Sequence, residues 1–381
     1  MQIVQSGFNI LITQNIFRFF SLLIVAILVI IGAVSAQETS TPSLSIGDSA
    51  PAMSVKKWIK GKPVKQFEKG KIYVVEFWAT WCLPCIAGMP HLSELAEKYK
   101  NEVTISGISI LERKGVTISR LETFVDSMTN KMRYNVGAED SNYMATTWLR
   151  AAGERGIPLA FVVDRQGKIA WIGLPKHLDK VLPKVIEGTW DIAKAADERK
   201  EYKRLQKLDG DIIPLLNPYM GNPGKPDSAM IVINQLLEKE PGLKYYPLMA
   251  HFTLFALIKT DQQKALDYGK QMFLSSPDDP PYKSVTDAVW YMTERRKVPL
   301  IKGLYELGAE AYQAQIDNYP WSMDIPNTYF SIAELYALAQ NKKKAVEAQK
   351  MAIKTAKAKA GFAPERLSEF ETKLKNSIKE L

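Results

Sequence analysis

Cys82 and Cys85 are the only cysteines in the 381 residues, and they fall together in "VVEFWATWCLPCIAGMP", Val74 to Pro90. Such a pair can hold a metal, close a structural disulfide, sit buried and inert, or cycle between dithiol and disulfide. Zinc needs about four ligands, and His91, His177 and His251 form no second spaced pair to supply them. A structural bridge over two intervening residues closes too short a loop to constrain the unfolded chain much. Redox chemistry is what this spacing supports, because the pair follows directly on an apolar run.

Positioning the sulfurs requires a strand and a helix. "KIYVVEFW", Lys71 to Trp78, is a β-branched and aromatic run apolar enough for a central, doubly buried strand. "CLPCIAGMPHLSELAEKYK" follows with helical spacing, Leu92, Leu95 and Tyr99 sharing one face. Cys82 then stands at a helix N-terminus, where unpaired N–H groups and the helix dipole favour an anion. That makes Cys82 the nucleophile, with a lowered thiol pKa. Cys85, one turn on, shares its face and is placed to resolve a mixed disulfide. Pro84 costs nothing in a first turn, whereas Pro90 lies deeper and predicts a kink. Glu76 is a carboxylate between buried neighbours, so it must raise its pKa or find a partner.

"FWATWCLPC" resembles the active-site signature of the TlpA/ResA-like thiol–disulfide oxidoreductases, exported members of the thioredoxin fold, and Pro90 matches their helix proline. "RGIPLAFVVDRQGKIAWIG", Arg155 to Gly173, is similar to their cis-proline loop and following β-hairpin, with the turn at Asp164–Gly167. The resemblance covers about residues 44–190. It implies a cis Pro158 facing the cysteines, an Ile157 backbone offered to an extended substrate, and Trp81 covering the edge of the site. Glu76 occupies the place, six positions before the first cysteine, where thioredoxins carry an acid that moves protons to and from the resolving thiol. Many TlpA/ResA-like chains have no acid there, and this chain has Glu rather than Asp. A proton relay and a structural carboxylate both stay open. No metal is implied, and no cofactor beyond the Cys82–Cys85 dithiol itself.

Between Cys85 and Pro158 lie 72 residues, more than a minimal thioredoxin needs. "EVTISGISI" reads as a parallel strand, "SRLETFVDSM" as a helix, "YNVGA" as a short strand and "SNYMATTWLRAAG" as a helix, with Tyr143 and Trp148 expected in the core. "LDKVLPKVIEGTW" reads as the helix that closes the domain.

At the N-terminus, "FFSLLIVAILVIIGAV" is an apolar run of 16 residues preceded by Arg18 and followed by Ser35-Ala36 and a polar stretch. A spanning helix needs about 20 apolar residues, so a signal peptide over 1–36 is favoured, with a membrane anchor over 17–34 as the alternative. Export places the chemistry in an oxidising space, the bacterial periplasm or cell envelope.

Length predicts two domains: a thioredoxin-like α/β domain over 37–192 and an all-α domain over 193–381, joined through the charged "AKAADERKEYKRLQK". "LFALIKTDQQKALDYGKQMF" and "LYALAQNKKKAVEAQKMAI" share a pattern about 80 residues apart: a large-small-large trio, a polar turn, then Lys-Ala-aliphatic. This is the pattern of tetratricopeptide-like helical hairpins. Ala256 and Ala337 are expected to let helices approach, with Phe255 and Tyr336 filling the adjacent space. The net charge of +9 is concentrated after Lys342, where eleven Lys/Arg meet five Glu. Only Phe362 and Phe370 fall among these lysines, too few aromatics for a nucleic-acid surface.

The function expected is reduction of disulfides in cysteine-containing envelope proteins, with a membrane thiol electron donor or oxidant resetting the pair. The alternatives are an oxidase or isomerase, and a helical-repeat binding or scaffold protein with a redox-sensing domain.

Overall fold

The computed structural model describes residues 43–139, 141–221, 224–275 and 280–379. The proposed signal or anchor segment lies outside them. Among the described residues no helix is long and apolar enough to cross a membrane.

The first half is a six-stranded mixed sheet. Its strands are β1 (Val55–Lys60), β2 (Ile72–Trp78), β3 (Val103–Ser109), β4 (Asn135–Glu139), β5 (Leu159–Val163) and β6 (Ile169–Gly173), in the order β1-β4-β3-β2-β5-β6. β2 runs parallel to β3 and antiparallel to β5. All seven of its residues are buried, as a strand covered on both faces requires. Strand alternation then sorts its side chains. Ile72, Val74 and Trp78 face α1 (Leu83–Lys98), α2 (Ile118–Ser127) and α3 (Leu178–Glu187) through Leu92, Leu121 and Val181. Tyr73, Val75 and Phe77 face a second core with Leu44, Ile46, Trp148 and Phe161. There the rings of Phe77, Phe161 and Trp148 meet edge-on with centroids 5.1–6.3 Å apart, the arrangement that ring quadrupoles favour.

Local chemistry explains the connections. Asp164 Oδ1 accepts from the backbone N–H of Gln166 and Lys168 at 2.9 and 2.8 Å, closing the β5–β6 turn at the predicted Asp164–Gly167, and Gly167 supplies the positive φ of 77°. The expected helix around 141–153 forms, but Ala145–Arg150 is wound as a π-helix. Its inward face carries Met144, Ala145, Trp148 and Leu149. Tyr143, expected in the core, falls at the edge of that stripe and is exposed. Pro90 stands inside α1, which continues to Lys98.

A long helix, α4 (Ile192–Asp211), leads into an all-helical region. α4 belongs to both halves. Ile192 and Ala195 pack on the sheet, and Arg199 donates to the carbonyls of Ile172 and Ala152 and pairs with Glu154 at 2.7 Å. Further along, Leu205 enters the helical core, and the buried Asp209 accepts from the N–H groups of Leu248 and Met249 at 3.0 and 2.8 Å. Those two donors open α6 (Pro247–Thr260), which follows α5 (Pro226–Lys239).

The remaining helices are α7 (Gln262–Ser275), α8 (Tyr282–Trp290), α9 (Lys302–Asn318), α10 (Ile325–Leu338), α11 (Lys342–Ala358) and α12 (Pro364–Lys379). α6–α7 and α10–α11 are the two hairpins whose sequences resemble each other, and both turns are capped alike. Asp261 accepts from Lys264 N–H at 3.0 Å, and Asn341 accepts from Lys344 N–H at 3.3 Å, each satisfying a donor that a helix start leaves open. Phe255, Tyr336 and Ala256 are buried as expected, but Ala337 is exposed. It lies on the outer side of α10, and Ala333 and Ala339 take the inward positions. Close approach falls instead to glycines. A Cβ on Gly269 would stand 2.5 Å from Leu307, and one on Gly308 2.9 Å from Val289.

Candidate active site

β2 ends at Trp78, and Ala79–Trp81 turns the chain into α1. Glu112 fixes that turn: its Oε1 accepts from Thr80 N–H at 2.8 Å and from the Ser109 hydroxyl at 2.7 Å, and its Oε2 accepts from the Thr80 hydroxyl at 2.7 Å. Trp81 donates its indole N–H to the Leu111 carbonyl at 2.9 Å and remains partly exposed. Cys82 is the N-cap of α1. Its Sγ accepts from the Cys85 N–H at 3.3 Å, so one of the open donors of the helix start points at this sulfur. Cys82 and Cys85 are joined as a disulfide with the sulfurs 2.03 Å apart. Each residue is only 2% exposed.

A cleft of about 600 Å³ reaches this pair from the Cys85 side. Glu76, Cys85 and Pro158 lie at its base, and Pro84, His91, Leu92, Leu174 and Lys176 contribute to its sides. The Ile157–Pro158 bond is cis. Ile157 is half-buried and packs against both cores. The structure therefore gathers Cys85, Glu76 and Pro158 in one cleft, with Cys82 joined to Cys85. Trp81 and Ile157 are not among the cleft-lining residues.

Glu76 is 2% exposed, and among the described residues its Oε2 finds no hydrogen-bond partner. Burial alone pushes its carboxyl up to about 8, because a low-dielectric interior disfavours the charged form. The space it occupies is made by Gly107, the residue opposite it on β3. A Cβ there would stand 2.8 Å from the Tyr134 ring, 3.2 Å from Glu76 Oε2 and 3.3 Å from Trp78. The buried Tyr134 OH, Trp78 Nε1 and Ser106 Oγ also have no hydrogen-bond partner among the described residues. Burial and then the Glu76 charge hold the Tyr134 phenol well above its ordinary value. Tyr134 and Gly107 had a place on the predicted strands but none in the predicted site. A glycine in the middle of a strand was the available signal, since it marks close approach by something else.

The other contribution that the sequence reading missed comes from the helical region. Where α9 ends, Asp317–Tyr319 and Trp321 complete the cleft lining. The turn Pro320–Ser322 packs against α1, and the Lys176 ammonium donates to Tyr319 OH at 3.1 Å. His91 on α1 pairs with Asp179 on α3 at 2.5 Å, bracing the same wall.

The AhpC/TSA family matches residues 46–172. FixW of Rhizobium leguminosarum is 39% identical over 156 residues, which cover 39% of this chain and 69% of FixW. The thiol:disulfide interchange protein HelX of Rhodobacter capsulatus is 30% identical over 40% of this chain and 82% of its own. The thiol-disulfide oxidoreductase ResA of Bacillus cereus is 30% identical over 33% and 68%. The chain belongs to the thiol–disulfide oxidoreductase family. It is a redox enzyme with a thioredoxin-like domain, and the helical region extends well beyond the stretch that these relatives share with it.

Proposed function

We propose that the chain is an exported thiol–disulfide oxidoreductase that reduces disulfides in cysteine-containing proteins of the periplasm or cell envelope. The observation that carries this reading is the placement of Cys82 Sγ at a helix N-terminus, accepting from the Cys85 N–H, above a buried carboxylate that shares a cleft with Cys85. In the reduced enzyme the helix start favours the Cys82 thiolate. That thiolate attacks one client sulfur; the client S–S bond breaks, and the departing client sulfur takes a proton. Glu76 then removes the Cys85 proton, suited to this by a carboxyl near 8, since a base works best close to the operating pH. The Cys85 thiolate attacks Cys82 Sγ, the internal disulfide forms, and the second client sulfur leaves and is protonated. Two electrons and two protons pass to the client. A membrane dithiol donor, itself oxidised to a disulfide, returns the pair to the reduced state. The apolar run Phe19–Val34 supports the export part of this reading.

The test is trapping. Cys85→Ser expressed in the full chain should accumulate mixed disulfides on Cys82 with envelope proteins, and Cys82→Ser should accumulate none. Trapping on neither variant, or equal trapping through Cys85, would overturn the assignment of roles.

A further inference from the structure

The cleft that reaches the disulfide is not built by the thioredoxin-like domain alone. One side of it is the end of α9 and the turn that follows. Tyr319 and Trp321 stand edge-on to each other, with ring centroids 5.8 Å apart at 85°. Their mount is the end of a packed helix. α9 is a 17-residue helix whose Leu307 and Ile316 are buried in the helical core, and Tyr319 N–H still bonds back to the Gln315 carbonyl at 2.8 Å. Lys176, from the turn after β6, holds the Tyr319 hydroxyl at 3.1 Å and lies over its ring at 5.1 Å from the centroid. Two aromatic faces on a fixed support are what a specificity wall needs.

The base of the cleft defines what enters. The cleft reaches Cys85, the bonded partner of Cys82, so a group seated there lies at the redox pair. A protein group that can exchange with that pair is a cysteine sulfur. The volume, about 600 Å³, matches clefts that enclose a compact ligand, roughly 300–1,000 Å³, and suits a few residues rather than a folded domain. Much of the lining is apolar, with Pro84 and Leu92 from α1, Pro158, Leu174 and the two aromatic rings, and Glu76, His91, Lys176, Asp317 and Asn318 are its polar members. We propose that Tyr319 and Trp321 form the outer wall of the client cleft, so that the helical domain selects cysteine-bearing segments with an apolar side chain next to the reacting cysteine. This rests on the thiol–disulfide reading above and adds to it where selection is made and for what.

The test uses the full-length protein, reduced beforehand and freed of reductant. Two ten-residue peptides each carry one cysteine as a mixed disulfide with glutathione. They are identical except that the cysteine is flanked by Leu and Phe in one and by Ser and Gly in the other. Enzyme oxidation is followed by acid quench and alkylation. The expected result is a rate-constant ratio of about tenfold in favour of the apolar peptide, the effect of one well-packed aromatic anchor. Trp321→Ala and Tyr319→Ala should bring the ratio to within about twofold, and Trp321→Phe should keep most of it. Should Trp321→Ala fail to fold, Trp321→Gln keeps much of the volume without the aromatic face and is expected to behave alike. A wild-type ratio near one, or a ratio that survives loss of the Trp321 ring, refutes the wall and leaves the redox reading standing. A wild-type enzyme that reduces neither peptide, nor hydroxyethyl disulfide, refutes the redox reading itself and the wall with it.

Discussion

Glu76→Gln should remove one large pH-dependent contribution to stability. The carboxyl is buried, with no partner for Oε2 among the described residues, and burial raises it from 4.5 to about 8. A raised carboxyl binds its proton more tightly in the folded chain than in the unfolded one. Between the two values the folded state therefore holds more protons, and stability falls as pH rises from about 4.5 to about 8, then levels off. Integrated from about pH 5 to about pH 9, that shift is worth about 4 kcal/mol. A neutral Gln does not have this dependence. The assay is urea unfolding of both proteins in the oxidised form, so that Cys82 and Cys85 do not titrate. Subtracting one profile from the other cancels every group the two proteins share. The variant should match the wild type near pH 5 and exceed it by several kcal/mol near pH 9. In kinetics the same variant should leave the first attack by Cys82 nearly intact and slow resolution by Cys85 about a hundredfold near neutral pH, the lower range for removing a general base. Parallel stability profiles across this range would refute the claim that Glu76 holds a proton in the folded state. A flat difference in stability with normal resolution would leave Glu76 a structural residue.

Gly107→Ala should destabilise the sheet domain by about 1–3 kcal/mol in urea unfolding, as overpacking does, because its methyl group would press on the Tyr134 ring, the Glu76 carboxylate and Trp78; an unchanged midpoint would mean that these three can yield. Asp209→Ala should cost about 1–3 kcal/mol by leaving two buried-end donors of α6 without their acceptor, read as an earlier loss of helical signal on heating. A variant as stable as the wild type would show that water replaces the carboxylate there.

The strand and helix that carry the cysteine pair were legible because each of their signals is local. The C-x-x-C pair, the apolar run of β2 and the helix start all lie within Val74–Pro90, and period-two and period-3.6 patterns place them on a strand and a helix. The β5–β6 hairpin was legible for the same reason, its turn being written in Asp164–Gly167. β1 was not anticipated. It pairs with β4 at the sheet edge, and its sequence, VKKWIK, is half lysine, the composition that protects an edge strand and also hides it. Ala337 was misread because small residues mark close approach only when the face is known, and the face of α10 is set by its neighbours. Tyr134 and Gly107 reach Glu76 through strand register, and Tyr319 reaches the cleft from 161 positions beyond Pro158. No local pattern reports a contact of that kind.

The placement of α4 bears on how the two halves act together. A helix shared by two cores transmits their relative position, because its first part is tied to the sheet by Arg199 and Glu154 and its last part caps α6 through Asp209. α9, which carries Tyr319, is packed against helices of that same helical core. The chain from Arg199 to Tyr319 is thus a continuous series of packed elements that returns to the sheet domain at Lys176. The two points of attachment differ in place: α4 packs on the second core, and the Pro320–Ser322 turn meets α1, the helix that carries Cys85. A helical region attached through a flexible linker would act on clients only by raising their local concentration. One attached at two points supplies a wall of fixed geometry, and fixed geometry is what discrimination between similar segments requires. On the proposed function the reacting sulfurs belong to the first half of the chain, whereas the cleft that reaches them is lined by both halves.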